Sequence, residues 1–350
     1  MELTYLYLAL ALAAGAGIFL YFSPFRAAKK PKTDTLFTEA LNAMVRGDKG
    51  RAVRLLRDVV KQDSDHVRAY LQLGNIMRDD HPQQAIKIHQ SLTVRPNLSS
   101  ELRVDIHRAL ANDYEQVGQN VKAKKEAEQV LTFEKRNLWA LKFLVRIAET
   151  NQNWDEAASW TKQMQKVTGK NNEDAVARFD VYKGLDRLKK GQLDEAKSFF
   201  QKAIKASPEL GLGYRYLGDV FDQTRDLVKA VENWETFAGK DLENGSKVFG
   251  KIESALFDLG RYSEVENFYR RILKLDPSNF EAIIRLANVL EEKGEHSNAL
   301  TLVEDALTKN DGSIHARLMR LKLSLHVSKP HELSNQIDDI IQLLTRKDEK

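Results

Sequence analysis

Apolar positions follow two different patterns along this chain, and each pattern predicts a different kind of helix. Residues 3–22 form one apolar run without a charged side chain. From residue 33 onward, apolar and polar positions recur with helical spacing, in segments separated by short polar turns. A helix of about 20 residues rises roughly 30 Å, the thickness of a hydrocarbon core. The patterns therefore predict one membrane-spanning helix followed by an all-α domain.

The residues on either side of the apolar run predict its orientation. The membrane-surface cations that follow it directly are Arg26, Lys29, Lys30 and Lys32. Before the run, Glu2 is the one charged side chain. Because positive charge is retained on the cytoplasmic side, the N-terminus should face outward and the rest of the chain should lie in the cytoplasm. We expect a transmembrane anchor over residues 1–25 and a basic juxtamembrane linker over residues 26–32.

A cleaved signal peptide is the competing interpretation of the same run. It would need basic residues before the apolar core and a small-residue cleavage site after it. The basic residues are missing, and SPFRAAKK (23–30) is a poor cleavage context. The sequence therefore favours an anchor that stays attached.

A motif recurs after the anchor with a nearly constant period. Clear copies are GQLDEAKSFF (191–200) and GRYSEVENFY (260–269), in which a small apolar residue follows a turn. The small residues of all the copies are Ala52, Ala85, Ala123, Ala157, Ala196, Ala230, Val265 and Ala299. Their spacings are 33, 38, 34, 39, 34, 35 and 34 residues, close to the tetratricopeptide period. We expect about eight tetratricopeptide repeats over residues 33–312 and a helix pair, either a cap or a ninth repeat, over residues 313–350.

Each repeat is predicted to consist of two helices, A and B. Small residues in helix A, such as Gly74, Gly184, Gly218 and Ala287, would let helix B approach closely. One repeat cannot bury its apolar face alone, so neighbouring repeats stack and share a core. The expected fold is an all-α tetratricopeptide-repeat superhelical solenoid, with the A helices on its concave side, preceded by one transmembrane helix.

Composition and charge narrow the function classes. Hydrophobic residues make up 42% of the chain and charged residues 30%, with 18 glycines and 7 prolines, as in helical globular proteins. The absence of cysteine excludes disulfides, thiolate metal sites and cysteine catalysis. The net charge of +4 concentrates in residues 26–60, which hold nine Lys or Arg against four Asp or Glu. Because this excess borders the apolar run, we expect it to contact anionic lipid, and we expect no nucleic-acid binding.

One segment combines acidic and imidazole groups that could bind a metal. LGNIMRDDHPQQAIKIHQSL (73–92) contains two aspartates beside His81, and His89 follows eight residues on. In the repeat frame, His81 precedes Pro82 and should cap a B helix. His89 lies four residues after Ala85, about 12 Å from that cap, so the two histidines cannot share one ion. We therefore expect His89 to pack between helices and expect no metal site.

Catalytic motifs are not found above the level of chance matches. HELSN (331–335) lacks the second histidine of HExxH, and GLGYRYLG (211–218) lacks the third glycine of a dinucleotide motif and follows no strand. The carboxylates are expected on solvated helix faces. The sequence therefore predicts a binding protein that is not an enzyme and needs no cofactor.

The concave side of a tetratricopeptide array is its expected working surface. The predicted groove residues with cationic or amide side chains are Arg68, Asn75, Arg78, Arg108, Asn112, Lys142, Arg146 and Arg215. Guanidinium and amide groups can hold the backbone and acidic side chains of an extended protein partner. A generic solvated face is the alternative.

The N-terminal part of the chain carries a more specific resemblance. The anchor and basic stretch are followed by LGNIMR, QAIKIHQSL and then a loop and helix containing LANDY, with the similarity continuing to residue 131. Over about residues 1–131 the chain resembles the lipopolysaccharide assembly protein B family of bacterial inner-membrane proteins. The resemblance implies an adaptor that brings the deacetylase of the committed lipid A step to a membrane AAA protease and contacts the lipopolysaccharide export machinery. Family members end in a rubredoxin-like metal domain with two CxxC pairs, which this cysteine-free sequence lacks.

Three functions remain open from the sequence. The first is a scaffold at the bacterial inner membrane, with a cytoplasmic repeat domain that serves lipopolysaccharide or envelope biogenesis. The second is a co-chaperone that captures acidic C-terminal tails through Asn75 and Asn112. The third is a scaffold for assembling envelope complexes unrelated to lipopolysaccharide, which would be a periplasmic assembly factor if the anchor were reversed. Gly15 and Gly17 also leave homo-oligomerisation open.

Overall fold

The computed structural model describes residues 32–309, 314–325 and 328–348, and the regular elements among these residues are helices joined by short turns. No strand occurs among them, which confirms the all-α prediction. The predicted anchor lies outside the described residues, as do Arg26, Lys29 and Lys30, whereas Lys32 is exposed directly before the first described helix. None of the helices in the described part is long and apolar enough to span a bilayer.

The chain divides into two compact units, one ending at Ile147 and the other beginning at Ala148. The helices within the first unit are α1 (Thr33–Val45), α2 (Lys49–Gln62), α3 (Val67–Met77), α4 (Pro82–Thr93), α5 (Ser100–Gln116) and α6 (Asn120–Phe133). Helix α7 (Leu138–Thr150) contains the boundary.

The second unit continues the alternation of helices and short turns. Its helices are α8 (Trp154–Thr168), α9 (Glu173–Lys189), α10 (Leu193–Ala206), α11 (Gly211–Gln223), α12 (Leu227–Lys240), α13 (Phe249–Asp258), α14 (Tyr262–Leu275), α15 (Phe280–Glu292), α16 (His296–Lys309), α17 (Ile314–Ser324) and α18 (Pro330–Asp348). A 3-10 helix over Gly245–Val248 precedes α13.

The small residues that define the sequence period are all buried. None of the eight exposes more than 1% of its surface. One helical turn further along each B helix, a second set of side chains is also buried: Leu56, His89, Ala127, Thr161, Phe200, Trp234, Tyr269 and Val303. The period therefore identifies the face that each B helix turns toward the core, because residues four apart share one face of a helix.

Three glycines on A helices sit directly beneath large members of this second set. Gly74 lies under the ring of His89, Gly184 under Phe200 and Gly218 under Trp234, and in each case an added Cβ would overlap the ring. The absence of a side chain is what allows these helix pairs to approach, as the sequence predicts.

Most of the turns between A and B helices use a residue in the left-handed conformation. Glycine supplies it in several turns, for example Gly191 (φ 72°) and Gly260 (φ 69°). Gln152 (φ 55°) and Arg225 (φ 61°) adopt the same conformation without being glycine. The repeat geometry therefore imposes the turn even where the residue type disfavours it.

Candidate functional site

Four of the predicted groove residues line one cavity in the first unit. The cavity lies between α3 and α5 and has a volume of about 290 Å³. Its lining residues are Leu71, Gln72, Asn75, Arg78, Asp105, Arg108, Ala109 and Asn112. Three of these side chains are charged and three are amides, so the cavity offers hydrogen-bonding groups and little apolar surface.

Arg78 is held in place by the residues around it. Its Nε lies 2.5 Å from Asp113 Oδ1, and its Nη2 donates to Asn75 Oδ1 at 2.7 Å. Only 19% of its side chain is exposed, and the Asp113 side chain is completely buried. Arg78 therefore neutralises a buried carboxylate, and its guanidinium is pre-positioned at the edge of the cavity.

Arg108 is the more accessible cation of this site. Its side chain is exposed, and its guanidinium carbon lies 5.0 Å from the ring centroid of Trp139 on α7. Stacking on an indole ring orients a guanidinium without using its hydrogen-bond donors. Arg108 can therefore bind an anionic or carbonyl group of a ligand from this position.

Asp105 is the one acidic residue that lines the cavity. Its partial burial raises the pKa of its carboxyl group, and the negative charge of Glu101 raises the pKa further. Arg108 and Arg68 act in the opposite direction and lower the pKa of Asp105. The carboxylate therefore weakens the positive potential of the cavity in a way that depends on pH.

The buried partner of Arg78 corrects one expectation from the sequence. Asp113 was expected on a solvated helix face, but it is 0% exposed. Its Oδ2 lies 2.6 Å from His89 Nδ1, and His89 Nε2 lies 3.1 Å from the carbonyl oxygen of Leu71. A signal for this burial exists in the sequence, since Asp113 lies seven residues after Ile106, four after Ala109 and three after Leu110, the spacing of one apolar helix face.

The two histidines of the segment 73–92 occupy the positions in α4 that the repeat frame predicts. His81 is the N-cap residue of α4 and Pro82 is its first residue. His89 is buried between helices and contacts a single carboxylate. Among the residues that the structure describes, no cluster of three potential ligands could hold a metal ion.

The other predicted groove residues lie outside this cavity. Arg68 is exposed on α3, and Lys142 is exposed on α7. Arg146 Nη2 donates to Glu115 Oε2 at 2.8 Å, and its guanidinium lies over the ring of Phe143.

Arg215 belongs to the second unit. Its guanidinium lies over the rings of Tyr216 and Phe237, at 5.2 Å and 5.8 Å from their centroids. Its Nε is buried and has no hydrogen-bond partner among the described residues. Arg215 is therefore packed against aromatic rings and is less accessible to a ligand than Arg108.

Comparison with known families agrees with the repeat pattern. Two models described as tetratricopeptide repeat match this chain, one over residues 256–323 and the other over residues 187–210.

The predicted resemblance to lipopolysaccharide assembly protein B is confirmed. The protein of that name from Escherichia coli strain K12 is 25% identical over 275 residues, which cover 77% of this chain and 70% of the relative. The Haemophilus influenzae protein of the same name is 24% identical over 307 residues, covering 83% of this chain and 76% of the relative. The similarity thus extends well beyond the N-terminal 131 residues on which it was predicted.

The matches among solved structures are more distant. A tetratricopeptide repeat protein from Parabacteroides merdae is 14% identical, with a TM-score of 0.37, over 84% of this chain and 98% of that protein. YrrB, described as a tetratricopeptide protein with an unusual peptide-binding site, is 18% identical, with a TM-score of 0.33, over 51% of this chain and 91% of that protein.

Proposed function

We propose that this protein is a non-enzymatic adaptor in lipopolysaccharide assembly that binds protein partners through the polar cavity of its first unit. The cavity carries the proposal, because it gathers Asn75, Arg78, Arg108 and Asn112 around one space of about 290 Å³. The similarity to lipopolysaccharide assembly protein B over most of the chain supports the biological setting.

The side chains of the cavity suit an extended polypeptide with an acidic side chain. Arg108 binds the carboxylate, while the amides of Asn75 and Asn112 pair with backbone donors and acceptors. Arg78 is already fixed by Asp113, so little side-chain entropy is lost when a ligand binds beside it.

The finer proposal concerns where the adaptor acts. The apolar run over residues 3–22 holds the chain at the bacterial inner membrane, and the repeat domain faces the cytoplasm. There the protein brings the lipid A deacetylase to a membrane AAA protease, as its resemblance implies. Tethering both partners at one surface raises their effective concentration without any catalytic step.

A co-chaperone that captures acidic C-terminal tails is the second candidate. The observation that favours it is the convergence of two asparagines and two arginines on one cavity. Such a co-chaperone requires the free carboxylate at the end of an acidic tail, whereas the adaptor binds an internal acidic segment of a partner. Isothermal titration with one acidic peptide, carrying either a free or an amidated C-terminus, therefore distinguishes the two functions: equal affinity for both forms would count against the co-chaperone.

Crosslinking in native membranes tests the adaptor proposal. The intact chain and the variant Arg108→Glu/Arg146→Glu are crosslinked, and the captured proteins are identified by mass spectrometry. We expect the variant to lose partners that the intact chain captures. Lys61→Glu/Lys87→Glu is the matched control, because both lysines are exposed outside the cavity, on α2 and α4, and the change in charge is the same. Equal capture by all three proteins would contradict the proposed site.

A further inference from the structure

A second cavity lies between α13 and α15 in the second unit. Its volume is about 360 Å³. Its lining residues are Glu253, Phe257, Glu281, Ile284, Arg285, Asn288, Val289 and Glu292. No residue of the predicted groove set lines it. Three carboxylates and one guanidinium surround it, so its net charge is opposite in sign to that of the first cavity.

The guanidinium of Arg285 pairs with two neighbouring carboxylates. Its Nη1 lies 2.7 Å from Glu253 Oε2, and its Nε lies 2.6 Å from Glu281 Oε1. Glu253 also accepts a hydrogen bond of 2.5 Å from the hydroxyl of buried Tyr269. This network fixes the wall of the cavity and pairs Arg285 with two of the three carboxylates that line it.

Glu292 is the carboxylate that remains available to a ligand. It is exposed, and it forms no ion pair with any residue that the structure describes. One cation reaches the edge of the cavity, Lys322, whose Nζ lies 2.5 Å from Glu291 Oε2 and 3.3 Å from Asn288 Oδ1. Since Lys322 is paired with Glu291, it does not compensate Glu292.

The same cavity exposes apolar side chains. Phe257 is 45% exposed and stands next to Tyr262, which is 63% exposed, with ring centroids 5.4 Å apart. Ile284 and Val289 are half-buried and form the apolar part of the wall. Exposed aromatic pairs beside a cavity are typical of surfaces that bind a partner.

We propose that this cavity binds a short segment of a protein partner in which an aromatic or aliphatic side chain stands next to lysine or arginine. The apolar side chain packs against Phe257, Ile284 and Val289, and the adjacent cation pairs with Glu292. Charge complementarity selects a basic segment here, whereas the first cavity selects an acidic one. This inference rests on the proposed adaptor role and adds a second, chemically distinct site to it.

Peptide binding to the full-length chain tests the proposal. The chain is reconstituted in zwitterionic nanodiscs, and empty nanodiscs provide the background. The probe is a fluorescein-labelled peptide that alternates lysine with phenylalanine and leucine, and binding is followed by fluorescence anisotropy. One comparison peptide replaces each lysine by glutamate, and another replaces phenylalanine and leucine by serine. We expect binding of the basic apolar peptide alone.

Variants locate the binding. Glu292→Lys and Phe257→Ala should each raise the dissociation constant of the basic apolar peptide at least about tenfold. Glu292→Lys removes the partner of the peptide's cation, and Phe257→Ala removes the ring against which its apolar side chain packs. Both residues are exposed, so folding should be retained. Glu304→Lys is the matched control, since Glu304 is exposed on α16 away from the cavity and the charge change is the same.

Several results would overturn the second site. The proposal fails if the basic apolar peptide does not bind, or if a comparison peptide binds equally well. It also fails if Glu292→Lys and Glu304→Lys lose the same amount of affinity for the basic apolar peptide. Arg108→Glu should leave this peptide's affinity unchanged.

The two proposed sites can fail independently. If Arg108→Glu/Arg146→Glu loses partners in the crosslinking experiment but the basic apolar peptide does not bind, the second site alone is refuted. Peptide binding here with unchanged partner capture in that experiment would refute the first site alone.

Discussion

His89 Nδ1 lies 2.6 Å from Asp113 Oδ2, and both side chains are completely buried. The pair joins α4 to α5, and Arg78 adds a contact to the same carboxylate from the end of α3. One buried carboxylate therefore ties together three helices and fixes the wall of the polar cavity. His89 occupies the position that Phe200, Trp234 and Tyr269 fill in other repeats, so an apolar contact has been replaced by a polar one.

Asp113→Asn should destabilise the first unit by about 3–5 kcal/mol, because it leaves the Arg78 guanidinium without its buried counter-charge. Urea unfolding of the full chain, followed by circular dichroism, measures the loss. Asp58→Asn is the control, since Asp58 is exposed on α2 and its replacement should change stability by less than about 0.5 kcal/mol. A similar, small effect for both substitutions would show that the buried carboxylate has no structural role.

Gly184→Ala should cost about 1–3 kcal/mol, because the added Cβ overlaps the ring of Phe200. Gly250→Ala on α13 meets open space apart from Arg285 and should stabilise by about 0.5–1 kcal/mol. The double variant Gly184→Ala/Phe200→Leu should be less destabilised than the sum of its parts, as expected for residues in contact. Additive costs in thermal unfolding would disprove the steric explanation.

Arg225→Gly should stabilise the second unit by about 1 kcal/mol, since glycine adopts the left-handed conformation of this turn without steric cost. Gly260→Ala is the reverse experiment, and it should destabilise by a similar amount. Differential scanning calorimetry of both variants measures whether stability rises in Arg225→Gly and falls in Gly260→Ala. A loss of stability in Arg225→Gly would mean that its side chain makes contacts that outweigh the backbone strain.

Tyr269→Phe should cost about 1–3 kcal/mol, because Glu253 loses a buried hydrogen-bond donor. Burial and the hydrogen bond to Glu253 raise the pKa of Tyr269 above its ordinary value of 10.0. Its contribution to stability is therefore complete below pH 10.0 and is lost as the pH rises through the higher folded-state pKa. Tyrosinate absorbance during an alkaline titration should show one group that ionises only on unfolding, and this group should disappear in Tyr269→Phe but persist in Tyr262→Phe.

Asp105→Asn should strengthen the binding of an acidic peptide to the first cavity at neutral pH, because it removes the carboxylate that opposes Arg108. The raised pKa of Asp105 also predicts that lowering the pH toward this value strengthens binding in the wild type but not in the variant. Titration of the peptide itself is common to both proteins, so the difference between their pH profiles isolates Asp105. Parallel profiles would show that Asp105 does not face the ligand.

The repeat architecture was predictable because its signals are local and recur. A small residue every 34 or so positions, glycine in the A helices and proline at a B-helix start each act within one helix pair. The structure accordingly buries Ala85 and places His81 at the cap of α4. The candidate site was predictable in part: the same periodicity brought Asn75, Arg78, Arg108 and Asn112 together.

The sequence did not predict which charged residues form ion pairs with each other. Arg78 and Asp113 are 35 residues apart, and Arg285 and Glu253 are 32 apart. Each pair forms because two neighbouring repeats are packed at one particular distance and rotation. A helical pattern indicates which face a residue occupies, but it does not indicate which partner from the next repeat reaches that face.

The sequence by itself determined the helices, their register and the buried face of each B helix, because hydrophobic burial depends on a period that can be counted along the chain. The tertiary structure decided that Arg78 is committed to a buried carboxylate while Arg108 stays accessible. It also decided that Phe257 and Glu292 meet at one cavity. These outcomes depend on electrostatic and steric contacts between repeats, which fall off over a few ångströms and are fixed only when the helices are packed.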